Sequence, residues 1–201
     1  MYTPNQFRFR DKQEMVAFMK QYPFATIVTM NGNIPVATQL PFCIDDSSDK
    51  LILSAHFALA NEQAKFIVDN TSLVIFSEPH AYISPVHYDK KESVPTWDYI
   101  AVHAYGKATI VTDENAVVKV LEQMITFYDK NYLQQWDGLP DKYKKGMMKA
   151  IVAFELEVTD LQGQKKLSQN KTAEEKQRII AHLEKSNSSV EAAIAKHIRE
   201  L

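Results

Sequence analysis

HAYISPVHYDKKESVPTWDYIAVHAYG, residues 80–106, begins and ends as strand-like sequence, with a polar loop between that closes at Pro95. In its second half Trp97, Tyr99, Ala101, His103 and Tyr105 alternate with Asp98, Ile100, Val102 and Ala104. A period of two puts the first set on one face of a strand and the second on the other. One face is therefore aliphatic and the other aromatic and polar. An ordinary sandwich strand would show solvated residues on its second face. Rings and an imidazole there suit a planar ligand or a second subunit, or else a neighbouring helix that covers them.

The flanking sequence sets the fold class. Met1–Arg10 is an aromatic, Pro-containing arm without the periodicity that would bury it. Asp11 and Glu14 have capping-box spacing and predict a helix that ends at Pro23. Phe24–Thr29 and Ile34–Phe42 read as strands joined through Asn31-Gly32, a hairpin signal because both residues tolerate positive φ. Leu51–Ser54 reads as a third strand, Ala58–Val68 as a helix and Leu73–Phe76 as a short apolar strand. Asp113 caps a helix with Val117, Val120, Leu121, Met124 and Tyr128 at helical spacing. Gln134–Lys145 is polar and turn-rich, Ala150–Val158 alternates as a last strand, and Leu161–Asn170 reads as a loop. Two helices follow, started by Thr172 with Glu175 and by Ser188 with Glu191. Strands come in hairpins rather than βαβ units, so the expectation is a mainly β, α+β protein: an antiparallel barrel with peripheral helices. Residues 1–170 are assigned to the barrel with its arm, and 171–201 to a C-terminal helical extension packed on it.

Bulk properties bound the function. The 201 residues are 45% hydrophobic and 24% charged, with a formal net charge of −2, so a sizeable core is available and no basic face announces DNA binding. The lone Cys43 forms neither an internal disulfide nor a thiolate cluster. With no apolar run of membrane-span length and no signal-peptide core, the reading is soluble and cytoplasmic. There is no G-x-G-x-x-G, Walker loop, H-E-x-x-H or C-x-x-C, and His80 with His87 lacks a third metal ligand. Ser84 lacks elbow glycines and is not read as a nucleophile. No catalytic or metal-binding residue is named. The positive signal lies in hydrogen-bonding groups near predicted helix starts. Ser54 and His56 lead into the segment with Asn61, and Lys166, Ser168, Gln169 and Asn170 precede another helix. Helix N-termini suit anions, although plain caps and turns look the same. With the Trp97–His103 face, these groups point to a planar ligand bearing a phosphate.

These residues resemble the PaiB-type FMN-binding negative transcriptional regulators. The likeness runs from Met1-Tyr2 with Pro4 and Phe7, through Pro23-Phe24-Ala25-Thr26 and Leu40-Pro41, to Tyr82-Ile83-Ser84-Pro85 and Tyr88. Val94-Pro95-Thr96-Trp97 with Tyr99, Val102-His103, Gly106 and the closing Lys166-Leu167-Ser168-Gln169-Asn170 complete it. The resemblance implies an antiparallel split β-barrel of the FMN-binding type, a homodimer, and FMN held at the subunit interface. It implies flavin contacts from Ser54, His56, Asn61, Ser84, Trp97 and His103, and from the Lys166–Asn170 loop. Flavin oxidoreductases and pyridoxamine-phosphate oxidases are similar in fold, so a flavin-dependent oxidoreductase and a cofactor-free dimer are the alternatives to a repressor. In the family's H-V-A-R-A-N-P-Q-W stretch, Leu59 stands where a basic residue is usual and Glu62 adds negative charge, so weak FMN binding is expected. His87 stands where a Trp is usual.

Overall fold

A computed structural model describes residues 1–201. In chain order the elements are β1 (Arg8–Phe9), α1 (Lys12–Gln21), β2 (Phe24–Asn31), β3 (Ile34–Pro41), β4 (Cys43–Asp45), β5 (Ile52–Ala58), β6 (Thr71–Phe76) and β7 (His80–Ile83). They continue with β8 (Thr96–Ile110), α2 (Glu114–Tyr128), α3 (Leu133–Gly138), α4 (Asp141–Met148), β9 (Ile151–Lys166), α5 (Ala173–Leu183) and α6 (Ser189–Arg199). Strand order is β3-β2-β6-β8-β9-β5-β4, with β1 on β9 and β7 on β8. The ladders with defined register are all antiparallel. This is the mainly antiparallel architecture of the split barrel, and the chain also forms six helices. No helix is long and apolar enough to cross a membrane.

The residues cluster into two compact units. One comprises 16–76 and 103–161, the other 1–15, 77–102 and 162–201. In the first, β2 and β3 form the expected hairpin, with Gly32 at φ 59° in its turn. Phe42, Phe57 and Phe154 carry its aromatic core, Phe57 and Phe154 stacking at 4.9 Å. Gly106 permits close packing, since a Cβ there would lie 2.3 Å from the Glu157 carbonyl oxygen. The Asp113 carboxylate caps α2 by accepting from Ala116 N at 2.9 Å, and Val120 and Met124 pack beside Cys43 and Ala153. Burial pushes the Cys43 thiol up to about 11, so it behaves as a core side chain.

In the second unit the arm is ordered by pairing. Arg8 and Phe9 lie opposite Gln164 and Gly163 on β9, and the Lys165 ammonium sits 3.9 Å from the Phe9 ring centroid. α5 and α6 pack on one another through Ile179, Ile180, Leu183, Ile194 and Ile198, and α6 also packs against β7. Thr172 and Glu175 make the full reciprocal capping box, and Ser188 caps α6.

Several elements differ from the sequence reading. Ala58–Val68 is not a helix. β5 runs to Ala58 because His56, Phe57 and Ala58 pair with Ala153, Val152 and Ile151, and only one 3-10 turn follows at Glu62–Lys65. Ladder hydrogen bonds there outweigh the helix preference of Ala and Leu. Leu161–Lys166 is strand rather than loop, because the distant arm supplies a partner. The polar stretch after Gln134 holds α3 and α4, anchored by buried Trp136, whose indole N–H donates to Glu122 at 3.4 Å.

Candidate functional site

β8 behaves as its alternation predicts. Asp98, Ile100, Val102 and Ala104 are fully buried, whereas Trp97 is 53% exposed on the opposite face. Trp97 meets Tyr82 and His80 of β7, each with ring centroids 5.9 Å away. This pairing follows from register, since Tyr82 lies opposite Trp97 and His80 opposite Tyr99. Tyr82, Trp97 and Val86 give this unit a broadly exposed apolar surface.

The other face carries one acid among aliphatic residues, and the closing loop is built around it. Ser168 Oγ donates to Asp98 Oδ2 at 2.6 Å, and Ser168 takes φ 55°, the left-handed region that costs a non-glycine residue strain. The loop is fixed from within. Gln169 accepts from Leu167 N at 2.8 Å and donates to Lys165 O at 2.6 Å, while Leu167 is buried. Lys166 Nζ donates to Thr96 Oγ1 and, at 2.6 Å, to the carbonyl of Trp97. Past the loop, the Glu175 carboxylate accepts from Asp89 N at 2.9 Å, and Arg178 bonds His87 O and Asp89. The segment after β7 is thereby pinned to α5. Lys171 Nζ lies 3.4 Å from the Tyr88 ring centroid.

Between these groups opens a cleft of about 280 Å³, lined by Phe7, Tyr88, Val94, Asp98, Lys166 and Asn170 among others. Burial pushes the Asp98 carboxyl up to about 6, offset by the Ser168 hydrogen bond and by Lys166 and Lys171. Burial lowers the Lys166 ammonium, and Asp98 opposes that shift. Burial raises the Tyr88 phenol, with Asp98 and Glu175 adding to it. Asp98 Oδ1 and Tyr88 Oη are buried without any hydrogen-bond partner. Such orphaned groups cost stability unless something else answers them.

The predicted residues separate accordingly. Lys166, Ser168 and Asn170 line this cleft, whereas Gln169 is occupied within the loop and the Trp97 ring faces the other way. Ser84 caps the 3-10 turn Pro85–His87 through Val86 N. Ser54, His56, Asn61 and His103 belong to the other unit. Ser54 is buried in mid-strand opposite Cys43, and His56 is also within β5, so neither stands at a helix start. Asn61 caps the single 3-10 turn and bonds Thr38, in a network completed by Gln63. That turn is too short to offer the anion site the sequence suggested. Burial lowers the pKa values of His56 and His103, and both leave Nδ1 unpartnered. No cluster of three or more His, Cys, Asp or Glu side chains is placed to hold a metal ion.

The sequence reading missed Asp98, Tyr88 and Lys171 as cleft residues. Asp98 carried a usable signal: a charge on an otherwise aliphatic strand face is buried at a cost and needs a purpose. The cleft's orphaned acceptor, its lysines and its aromatic wall fit the edge of a planar heterocycle bearing carbonyls.

Comparison with known proteins bears on the family and the fold. The family model described as "Putative FMN-binding domain" matches residues 1–160. The chain is 36% identical over 187 residues to the protease synthase and sporulation protein PAI 2 of Bacillus subtilis, covering 92% of this chain and 89% of that protein. The flavocytochrome Anf3 of Azotobacter vinelandii superposes with a TM-score of 0.65 at 13% identity, over 79% of this chain and 69% of that one. A FAD- and heme-binding protein of Mycobacterium smegmatis also gives 0.65, at 12% identity, over 87% and 79%.

Proposed function

Because this chain belongs to the PaiB-type FMN-binding family, we propose that it binds FMN as a homodimer and acts as a flavin-responsive negative regulator of transcription. The observation that carries the flavin assignment is the cleft that joins an orphaned Asp98 oxygen to Lys166, Lys171 and the rings of Phe7 and Tyr88. When bound, the flavin supplies reversible electron transfer, and the protein supplies position and electrostatics. Lys166 and Lys171 contribute positive charge to a ligand that is itself anionic. Phe7 and Tyr88 keep water from the ring. Val94 is 77% exposed although it lines the cleft, which supports a mouth completed by a second copy. The exposed Trp97–Tyr82 surface supports the same dimer.

The helical pair α5–α6 and its caps are mixed in charge, with Glu174, Glu184, Glu191 and Glu200 among the Lys and Arg residues. Regulation is therefore assigned to the flavin-bound dimer rather than to a recognition helix in this pair. The decisive experiment titrates flavin-free protein with FMN, following the visible spectrum and flavin fluorescence, and runs sedimentation velocity with and without the cofactor. Saturable quenching by a species of twice the chain mass is expected. A monomer that leaves the FMN spectrum and fluorescence unchanged would refute the reading. A promoter–reporter assay with and without the gene tests repression separately.

A further inference from the structure

Within the cleft the hydrogen-bonding pattern is specific. Asp98 spends Oδ2 on Ser168 and leaves Oδ1 buried and unanswered. Lys166 has two partners, Thr96 and the Trp97 carbonyl, and an ammonium carries three protons, so one is available. The side chains of Gln6 and Asn170 line the same space and bring further amide donors. The protein thus offers one acceptor among several donors, between the rings of Phe7 and Tyr88 and the aliphatic Val94. The complementary ligand edge is a single N–H flanked by two carbonyls on a flat ring. A phosphate would meet the Asp98 carboxylate as a like charge, and a polyol would waste the aromatic walls.

This inference rests on the flavin reading given above. We infer that the cleft holds the pyrimidine-dione edge of the isoalloxazine: Asp98 Oδ1 accepts from the ring N3–H, and Lys166 and Asn170 donate to the adjoining carbonyls. Asp98 is then the residue that sets ligand specificity, and Ser168, in its strained left-handed conformation, is the positioning residue that fixes the carboxylate. The charged and titratable groups facing Asp98 are Lys166, Lys171 and Tyr88, with Glu175 acting on Tyr88 from α5. Accepting the imide proton favours the ionised carboxylate. FMN affinity therefore falls on acidification as Asp98 protonates.

The test compares FMN with 3-deaza-FMN in its diketo form, in which CH2 replaces N3–H between the same two carbonyls, on the full chain and on Asp98→Asn. Fluorescence titration at neutral pH gives the four dissociation constants. The deaza substitution is expected to weaken binding to the native chain by ~10–100-fold, the range of one hydrogen bond to a charged group. Asp98→Asn keeps the shape and can still accept from Ser168, but turns an amide donor toward the cleft. It should weaken FMN by a similar factor and shrink the deaza penalty to less than about threefold, as coupled partners do. An equal penalty on both proteins, or none on the native chain, overturns the assignment while leaving FMN binding intact. Absence of FMN binding by the native chain overturns the flavin reading itself. Should Asp98→Asn fail to fold, the two ligands on the native chain decide, with Ser168→Ala as the second variant expected to retain a penalty.

Discussion

Replacing Asp98 by Asn should make the ligand-free protein more stable, and by an amount that depends on pH. The carboxyl is fully buried, and its pKa rises from 3.8 to about 6 on folding. A raised acid pKa means that the folded chain binds more protons than the unfolded chain between those values. The contribution of Asp98 to stability is therefore fully present below the unfolded pKa and is lost as pH rises through about 6. Two pKa units correspond to about 3 kcal/mol, and about 2 kcal/mol of that falls between about pH 4.5 and about pH 7.5. Asn has no proton to exchange and can keep the Ser168 hydrogen bond. Urea unfolding of both proteins at the two pH values gives the double difference, in which the other titrating groups cancel. Asp98→Asn should gain about 2 kcal/mol on the native chain between the acid and the neutral condition. A difference that stays constant with pH would refute the claim that the ionised carboxylate is held at a cost. A gain at acid pH would reverse its sign.

Three further outcomes follow from the geometry. Lys166→Met removes a charged donor from the cleft while keeping the stem, and should weaken FMN by about 1.5–3 kcal/mol in a fluorescence titration. Tyr82→Lys with Trp97→Glu should shift sedimentation velocity to the single-chain mass at micromolar concentration, while far-UV circular dichroism stays unchanged because both side chains are exposed. Gly106→Ala places a Cβ 2.3 Å from the Glu157 carbonyl oxygen, a backbone atom that cannot turn aside. It should cost about 1–3 kcal/mol in denaturant unfolding, as overpacking does.

What the sequence revealed was whatever short-range chemistry determines. The Asn31-Gly32 hairpin, the Asp113 cap, the Thr172–Glu175 box and the two faces of β8 depend on neighbours within a few residues, and all four are present. The misread elements depend on distant partners. Leu161–Lys166 is strand because Arg8 and Phe9 lie alongside, and β5 extends because β9 pairs with it. The cleft residues divide in the same way. Lys166, Ser168 and Asn170 were visible as a motif, yet the acid that organises them sits 70 positions earlier from Ser168, on a face where only aliphatic packing was expected. Tyr88 and Lys171 are joined through space by a cation–π contact that no local spacing encodes.

The unit that carries the cleft is assembled from three stretches of chain, 1–15, 77–102 and 162–201. Arg8 must wait for Gln164, and Asp98 for Ser168, before either contact can exist. During synthesis on a ribosome this unit has no closed form until residues 162–201 emerge. Its contacts are long-range, which predicts slow acquisition, and the nascent arm stays exposed to chaperones and proteases meanwhile. The cleft is complete only once residues 162–171 have joined the two earlier stretches. A truncated translation product ending near residue 160 would lack the β1 partner, the Ser168 hydroxyl and Lys166 together, and with them the cleft.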